Sequence, residues 1–170
     1  MSADRMSIRK AEKMDCALIH ALAGKVFPHT YRDILTPEQI KYMMEWMYSI
    51  ANLRKQMEEG HEFFIASWDG ADCGYVSVTR DGKDLFHLQK IYVLPEFQGL
   101  HIGDALFRQA IEFVRSSHGE GACGMELNVN RHNPARGFYE KQGMKEVNRG
   151  DFPIGNGFYM NDYIMRLDIK

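Results

Sequence analysis

Gln98, Gly99, His101, Gly103 and Asp104 are the residues of this chain whose types and spacing speak most directly of chemistry. They form a short turn between a β-branched, aromatic-rich run that ends at Val93 and a helical pattern from Asp104 to Val114. A helix that starts in a glycine-flanked turn aims several backbone N–H groups, and the positive end of its dipole, at one point. Such a point binds phosphate. The implied ligand is phosphorylated and is held by backbone rather than by a basic patch. The spacing is not a dinucleotide-binding fingerprint, because Gly99 and Gly103 do not give G-x-G-x-x-G and no strand-proximal glycine comes first. Nor is it a P-loop, since no Gly-Lys-Ser/Thr follows.

A second segment carries matching signals. Leu127 to Asn130 alternates as a short strand, followed by Arg131-His132 and then Asn133-Pro134-Ala135. Asn133 suits an N-cap, Pro134 the first helical position and Gly143 the C-terminal stop, with Phe138 and Tyr139 between them.

These two stretches resemble the motifs of the GNAT superfamily of N-acetyltransferases. Val93-Leu94-Pro95-Glu96-Phe97-Gln98 and the following turn are similar to its acetyl-CoA signature, Gln/Arg-x-x-Gly-x-Gly/Ala after a strand ending in Val-x-Pro-Glu. Gln98, Ile102 and Gly103 match, whereas His101 stands at the usual central glycine, with Gly99 two residues earlier. The second stretch is similar to Asn-x-x-Ala-x-x-Phe/Leu-Tyr-x-x-x-Gly-Phe, with one residue fewer between Asn133 and Ala135 and Met144 in place of the phenylalanine. The motifs occur in the family's order.

The resemblance implies acetyl-CoA as co-substrate, no metal, and direct attack of a primary amine on the thioester. It implies that backbone groups of Ile91, Tyr92 and Val93 hold the pantetheine and polarise the carbonyl. The pyrophosphate is expected on the backbone of Gln98, Gly99, Leu100, His101, Ile102, Gly103 and Asp104. Asn133 is expected at the cofactor or as the helix cap alone, and Phe138 against the cofactor or the core. Tyr139 occupies the position of the general acid that protonates the thiolate. Many relatives carry a glutamate base in the fourth strand, and counting back from Gln98 places His87 there, with Gln89 at the site of another common glutamate. His87 is either that base, for which its ordinary pKa is suitable, or a histidine on a half-polar strand face. Residues 87, 89 and 91 share one face of a regular strand, a pattern that a bulge would shift.

The acceptor side is expected in Phe27 to Tyr31, in the helix of Tyr42 and Trp46, and in Asp151 to Tyr163. Tyr31, Trp46 and Tyr159 are its candidate residues, since aromatic faces and carboxylates suit a cationic amine. The Phe-x-x-Thr-Tyr stretch and the Phe-Tyr-Met ending also resemble the bacterial spermidine/spermine N-acetyltransferase branch. The acceptor is then a small molecule such as a polyamine, or a peptide amine. Two alternatives stand beside this: a transferase of a longer acyl group, and a catalytically silent CoA-binding module.

Positioning these groups takes an ordered set of elements. Ser7–Lys10 reads as a strand, Glu12–Val26 as a helix, and Thr36-Pro37 as a capped helix start running toward Glu59 with a break near Tyr48 and Ser49. Strands follow over 63–66, 73–79 and 84–93, joined by turns at Asp69-Gly70 and Asp81-Gly82. After the phosphate-binding helix come a strand at 124–129, a helix at 134–142, and strands at 145–149 and 158–167. The order gives a mixed α/β (α+β) chain, and the resemblance implies the GNAT fold: a central, mostly antiparallel, seven-stranded sheet with helices on both faces and splayed fourth and fifth strands.

At 170 residues the length fits one domain over 1–170, and a net charge of −2 without a basic stripe excludes nucleic acid as the expected partner. Met1 to Asp15 has no apolar core of a signal peptide, and no apolar run spans a bilayer. Three cysteines without metal or redox spacing fit a cytoplasmic protein with reduced thiols. Eleven methionines fill the core, or line an adaptable pocket around Met43, Met44 and Met47. Paired edge strands near the C-terminus are compatible with a homodimer.

Overall fold

Period-two and period-3.6 patterns fold where they are expected, in a computed structural model that describes residues 5–170. The strands are β1 (Met6–Lys10), β2 (Glu62–Trp68), β3 (Ala71–Arg80), β4 (Leu85–Val93), β5 (Cys123–Asn130), β6 (Lys145–Gly155) and β7 (Phe158–Ile169). The helices are α1 (Cys16–Tyr31), α2 (Pro37–Tyr48), α3 (Ile50–Glu58), α4 (Ile102–His118) and α5 (Ala135–Lys141). The strands form one sheet in the order β1-β2-β3-β4-β5-β7-β6, flanked by the helices. β4 and β5 pair in parallel, over Leu85–His87 against Gly124–Glu126. That ladder ends at His87, as it does between splayed strands. No described helix is long and apolar enough to cross a membrane.

The chain packs as two compact units. The first holds the residues up to Thr79 together with Leu88–Phe113, and the second holds Arg80–His87 and Val114–Lys170. In the first, Ile19, Phe27, Tyr48, Phe63, Ile65, Tyr75 and Leu106 are fully buried or nearly so. In the second, Phe86, Met125, Leu127, Met144 and Met165 play that part.

The helix signals act as expected at most ends. Thr36 Oγ1 accepts from Gln39 N at 3.2 Å, and Ser49 both closes α2 and caps α3 through Asn52 N at 3.2 Å. The expected end of α1 at Val26 is incorrect: the helix continues through Pro28 to Tyr31. A proline ring crowds the carbonyl four residues earlier. Here Pro28 is accommodated one turn before the end of α1, and the turn from Phe27 to Tyr31 remains helical.

Candidate functional site

In the first unit, β4 leads through a short 3₁₀ turn, Pro95–Phe97, to α4. Gly99 and His101 both take positive φ, 88° and 61°. A non-glycine residue there is strained by about 1 kcal/mol or more. His101 therefore takes the backbone conformation a glycine would supply more easily. Its exposed ring lies with Nδ1 2.9 Å from Asp104 Oδ2. Ala105 N donates to His101 O at 3.2 Å, so the N–H groups of Ile102 and Gly103 precede the first helical bond of α4. Gln98 Nε2 donates to Val93 O at 3.2 Å and ties the turn back to the end of the strand.

β4 does not alternate regularly. Asp81 N bonds Leu85 O at the hairpin turn and Leu94 N bonds Cys73 O at the far end, so eight residues of advance on one side stand against nine on the other. The additional residue lies at Gln89-Lys90. Gln89 Nε2 donates to Thr79 Oγ1 at 3.0 Å, while Lys90 Nζ donates to Gln56 Oε1 at 2.8 Å. Two neighbours reaching the same side of β3 mark a bulge. The expectation that 87, 89 and 91 share a face thus fails at Ile91, because Tyr92 now lies on the side of Gln89 and Lys90. There its hydroxyl meets that of Tyr31 at 3.1 Å, and its ring packs near Phe27 and Tyr75. Gly74 of β3 permits the approach: a Cβ there would lie 2.7 Å from Tyr92 O.

Lys90 was not legible as a special residue in the sequence. It is 7% exposed, and its ammonium lies 5.4 Å from the ring centroids of both Tyr48 and Phe63. Burial lowers its pKa from 10.5 to about 8. Gln56 is held in turn, its Nε2 donating to Met47 O at 2.8 Å. Of the acceptor candidates in this unit, Tyr31 is buried at the end of α1 and Trp46 is exposed, with its ring stacked on Tyr42 at 6.4 Å.

In the second unit, His87 is half-buried, with Nδ1 3.9 Å from Asp81 Oδ2 and Glu126 opposite it on β5. Burial lowers its pKa, against the raising fields of Asp81 and Glu126. A neutral imidazole able to accept a proton results. Asn133 Oδ1 accepts from Ala135 N at 2.9 Å, which makes it the side-chain cap of α5. Tyr139 is buried near that helix's end, its ring centroid 5.5 Å from that of Phe138. A Schellman stop fixes it: Met144 N donates to Tyr139 O at 3.1 Å and Gly143 N to Glu140 O at 3.0 Å. Gly143 takes the φ of 100° that the motif requires. Tyr159 is exposed at the start of β7, opposite Pro153. Among the described residues no three His, Cys, Asp or Glu side chains are grouped to hold a metal ion.

The chain is similar to known proteins along most of its length. A family profile described as an acetyltransferase (GNAT) domain matches residues 31–167. An uncharacterized N-acetyltransferase of Mycobacterium tuberculosis is 29% identical over 154 residues, covering 89% of this chain and 96% of that protein. An uncharacterized N-acetyltransferase of Archaeoglobus fulgidus is 27% identical, covering 85% of this chain and 97% of that one. Among solved structures, the PaiA N-acetyltransferase of Thermoplasma acidophilum, in complex with coenzyme A, superposes with a TM-score of 0.77 at 24% identity. That match covers 95% of this chain and 97% of the other. With the β4–α4 turn in place and the profile matched over most of its length, this chain belongs to the GNAT acetyltransferase family.

Proposed function

We propose that the protein, acting as one domain in the cytoplasm, transfers the acetyl group of acetyl-CoA to a primary amine without a covalent enzyme intermediate. The β4–α4 turn carries this reading, because Gly99 and His101 turn the backbone so that α4 begins with its dipole toward a phosphate. The coenzyme A in the Thermoplasma relative supports the choice of donor. Ile91, Tyr92 and Val93 hold the thioester arm through backbone groups, and the turn from Gln98 to Asp104 holds the pyrophosphate. Asn133 caps α5 and contacts the cofactor, with Phe138 packed beside it.

Amide formation needs a neutral amine, a polarised carbonyl and a protonated leaving thiolate. His87, kept neutral by burial, accepts the amine proton, directly or through water. Tyr139 donates its hydroxyl proton to the departing sulfur. The acceptor is a small alkyl amine such as a polyamine, or a peptide amine, approached by Tyr31, Trp46 and Tyr159.

Release of free CoA thiol from acetyl-CoA, followed across polyamines, amino acids and peptides, tests the reaction. Release stimulated by an amine is expected. Tight CoA binding without stimulation by any amine would replace transfer with a silent binding module. Tyr139→Phe is expected to lower the rate at least tenfold, by the usual worth of general-acid catalysis. An unchanged rate across pH would remove its role.

A further inference from the structure

The turn that opens α4 holds a residue its own backbone makes costly. His101 takes a φ of 61°, in the left-handed region where glycine is free and any side chain is strained. Its ring reaches forward along the helix, where Nδ1 lies 2.9 Å from Asp104 Oδ2, three residues on. The histidine side chain is 83% exposed; that of Asp104 is 32% exposed. Asp104 is the acidic residue of the first turn of α4. Between the two stand Ile102 and Gly103, whose N–H groups precede the first helical bond, from Ala105 N to His101 O at 3.2 Å.

Those N–H groups and the positive end of the α4 dipole are the means by which this turn holds a phosphate. A carboxylate in the same turn works against that. It takes up the same favourable field and repels an incoming anion. A strained histidine bonded to that carboxylate answers both difficulties at once. We propose that His101 is a positioning residue for acetyl-CoA: its ring holds the Asp104 carboxylate to one side of the turn and offsets its charge, leaving the N–H groups of Ile102 and Gly103 to the diphosphate. A neutral ring does this with its N–H dipole and an imidazolium with a full charge. The proposal rests on the acetyl-CoA reading. It adds the reason an acid is tolerated in the turn that receives an anion, and the reason a histidine stands where glycine fits more easily.

The test is a double-mutant cycle on the Kd for coenzyme A, measured by calorimetry at low ionic strength so that an exposed pair is not screened. Its members are wild type, His101→Ala, Asp104→Asn and the double variant. His101→Ala removes the ring and keeps a Cβ at the same φ. It is expected to raise Kd about threefold or more, the usual worth of a charge in the first turn of a helix. In the Asp104→Asn background the same change is expected to have little effect. An equal rise in both backgrounds would overturn the proposal, because the ring would then act on the diphosphate or the turn without Asp104. No rise in either background would overturn it as well. If His101→Ala does not fold, His101→Gly, which suits this φ, carries the same expectation. In the thiol assay the loss should fall on KM for acetyl-CoA, since the pantetheine arm separates the diphosphate from the reacting carbonyl. A loss in kcat alone refutes the assignment. Wild type that binds no coenzyme A would remove the acetyl-CoA reading and this proposal together, whereas binding without coupling between the two residues removes the proposal alone.

Discussion

Replacing Lys90 with methionine removes a proton-binding group from the first unit and leaves an apolar stem of similar length in place. The folded protein holds this lysine at a pKa of about 8 rather than 10.5, because burial disfavours the charged form. Its contacts with Gln56 and with two ring faces do not restore the ordinary value. Between the two values the unfolded chain keeps a proton that the folded chain has released, so stability rises with pH there. Below pH 8 both states are protonated and the full penalty of burying the charge applies. Above 10.5 both are neutral and the penalty is gone. Across that interval the difference amounts to about 3 kcal/mol. Lys90→Met escapes the penalty but leaves Gln56 Oε1 without its donor, which costs about 1–3 kcal/mol. At pH 7 the variant is thus expected to match wild type or exceed it by up to about 2 kcal/mol, from the same two quantities. Urea unfolding of both proteins at intervals from pH 7 to 10.5 isolates the group, since other titrations cancel in the difference. Wild-type stability should gain on the variant by about 3 kcal/mol over that range, or about 6–12 °C in Tm. A difference that stays flat within about 1 kcal/mol would show that the lysine ionises as it does in water. A loss of more than about 3 kcal/mol in the variant at pH 7 would show that the charge stabilises the fold.

Two further outcomes follow from the site. If His87 accepts the amine proton, the acid limb of kcat/KM in wild type should lie below 6.5, since burial lowers its pKa; activity rises with pH through that value. His87→Gln should flatten this limb and lower the rate by about 10²-fold or more, and a limb of unchanged position would assign it to another group. Gly74→Ala places a methyl 2.7 Å from Tyr92 O, and backbone cannot yield as a flexible side chain does. It should destabilise the protein by about 1–3 kcal/mol and raise the KM for acetyl-CoA more than that for the amine, measured in the same thiol assay.

How far the sequence reaches depends on how local the cause is. Thr36, Ser49 and Gly143 act on backbone within four residues, so their caps and stops could be read directly. The α1 end was misplaced because a proline one turn from a helix end does not by itself stop the helix, and α1 runs through Pro28 to Tyr31. The β4 bulge was foreseen only as a modifier, since nothing in Gln89-Lys90 identifies which residue is extra; the pairing of β3 at both ends does. Lys90 escaped for another reason. A charged letter in a strand normally points to water, and what makes this one unusual is burial with no opposite charge acting on it, a property of neighbours far away in the chain. The sequence motifs located the turn between β4 and α4.

The bulge in β4 also has a consequence for inheritance. A strand has only two orientations for each side chain, and one inserted residue exchanges them for everything that follows. The bulge absorbs that extra residue, so deleting Gln89 would restore regular alternation and keep Tyr92 on the side of Tyr31, at the loss of the Gln89–Thr79 bond. The bulge is therefore a point at which β4 can lose one residue without reversing the sides of Ile91, Tyr92 and Val93.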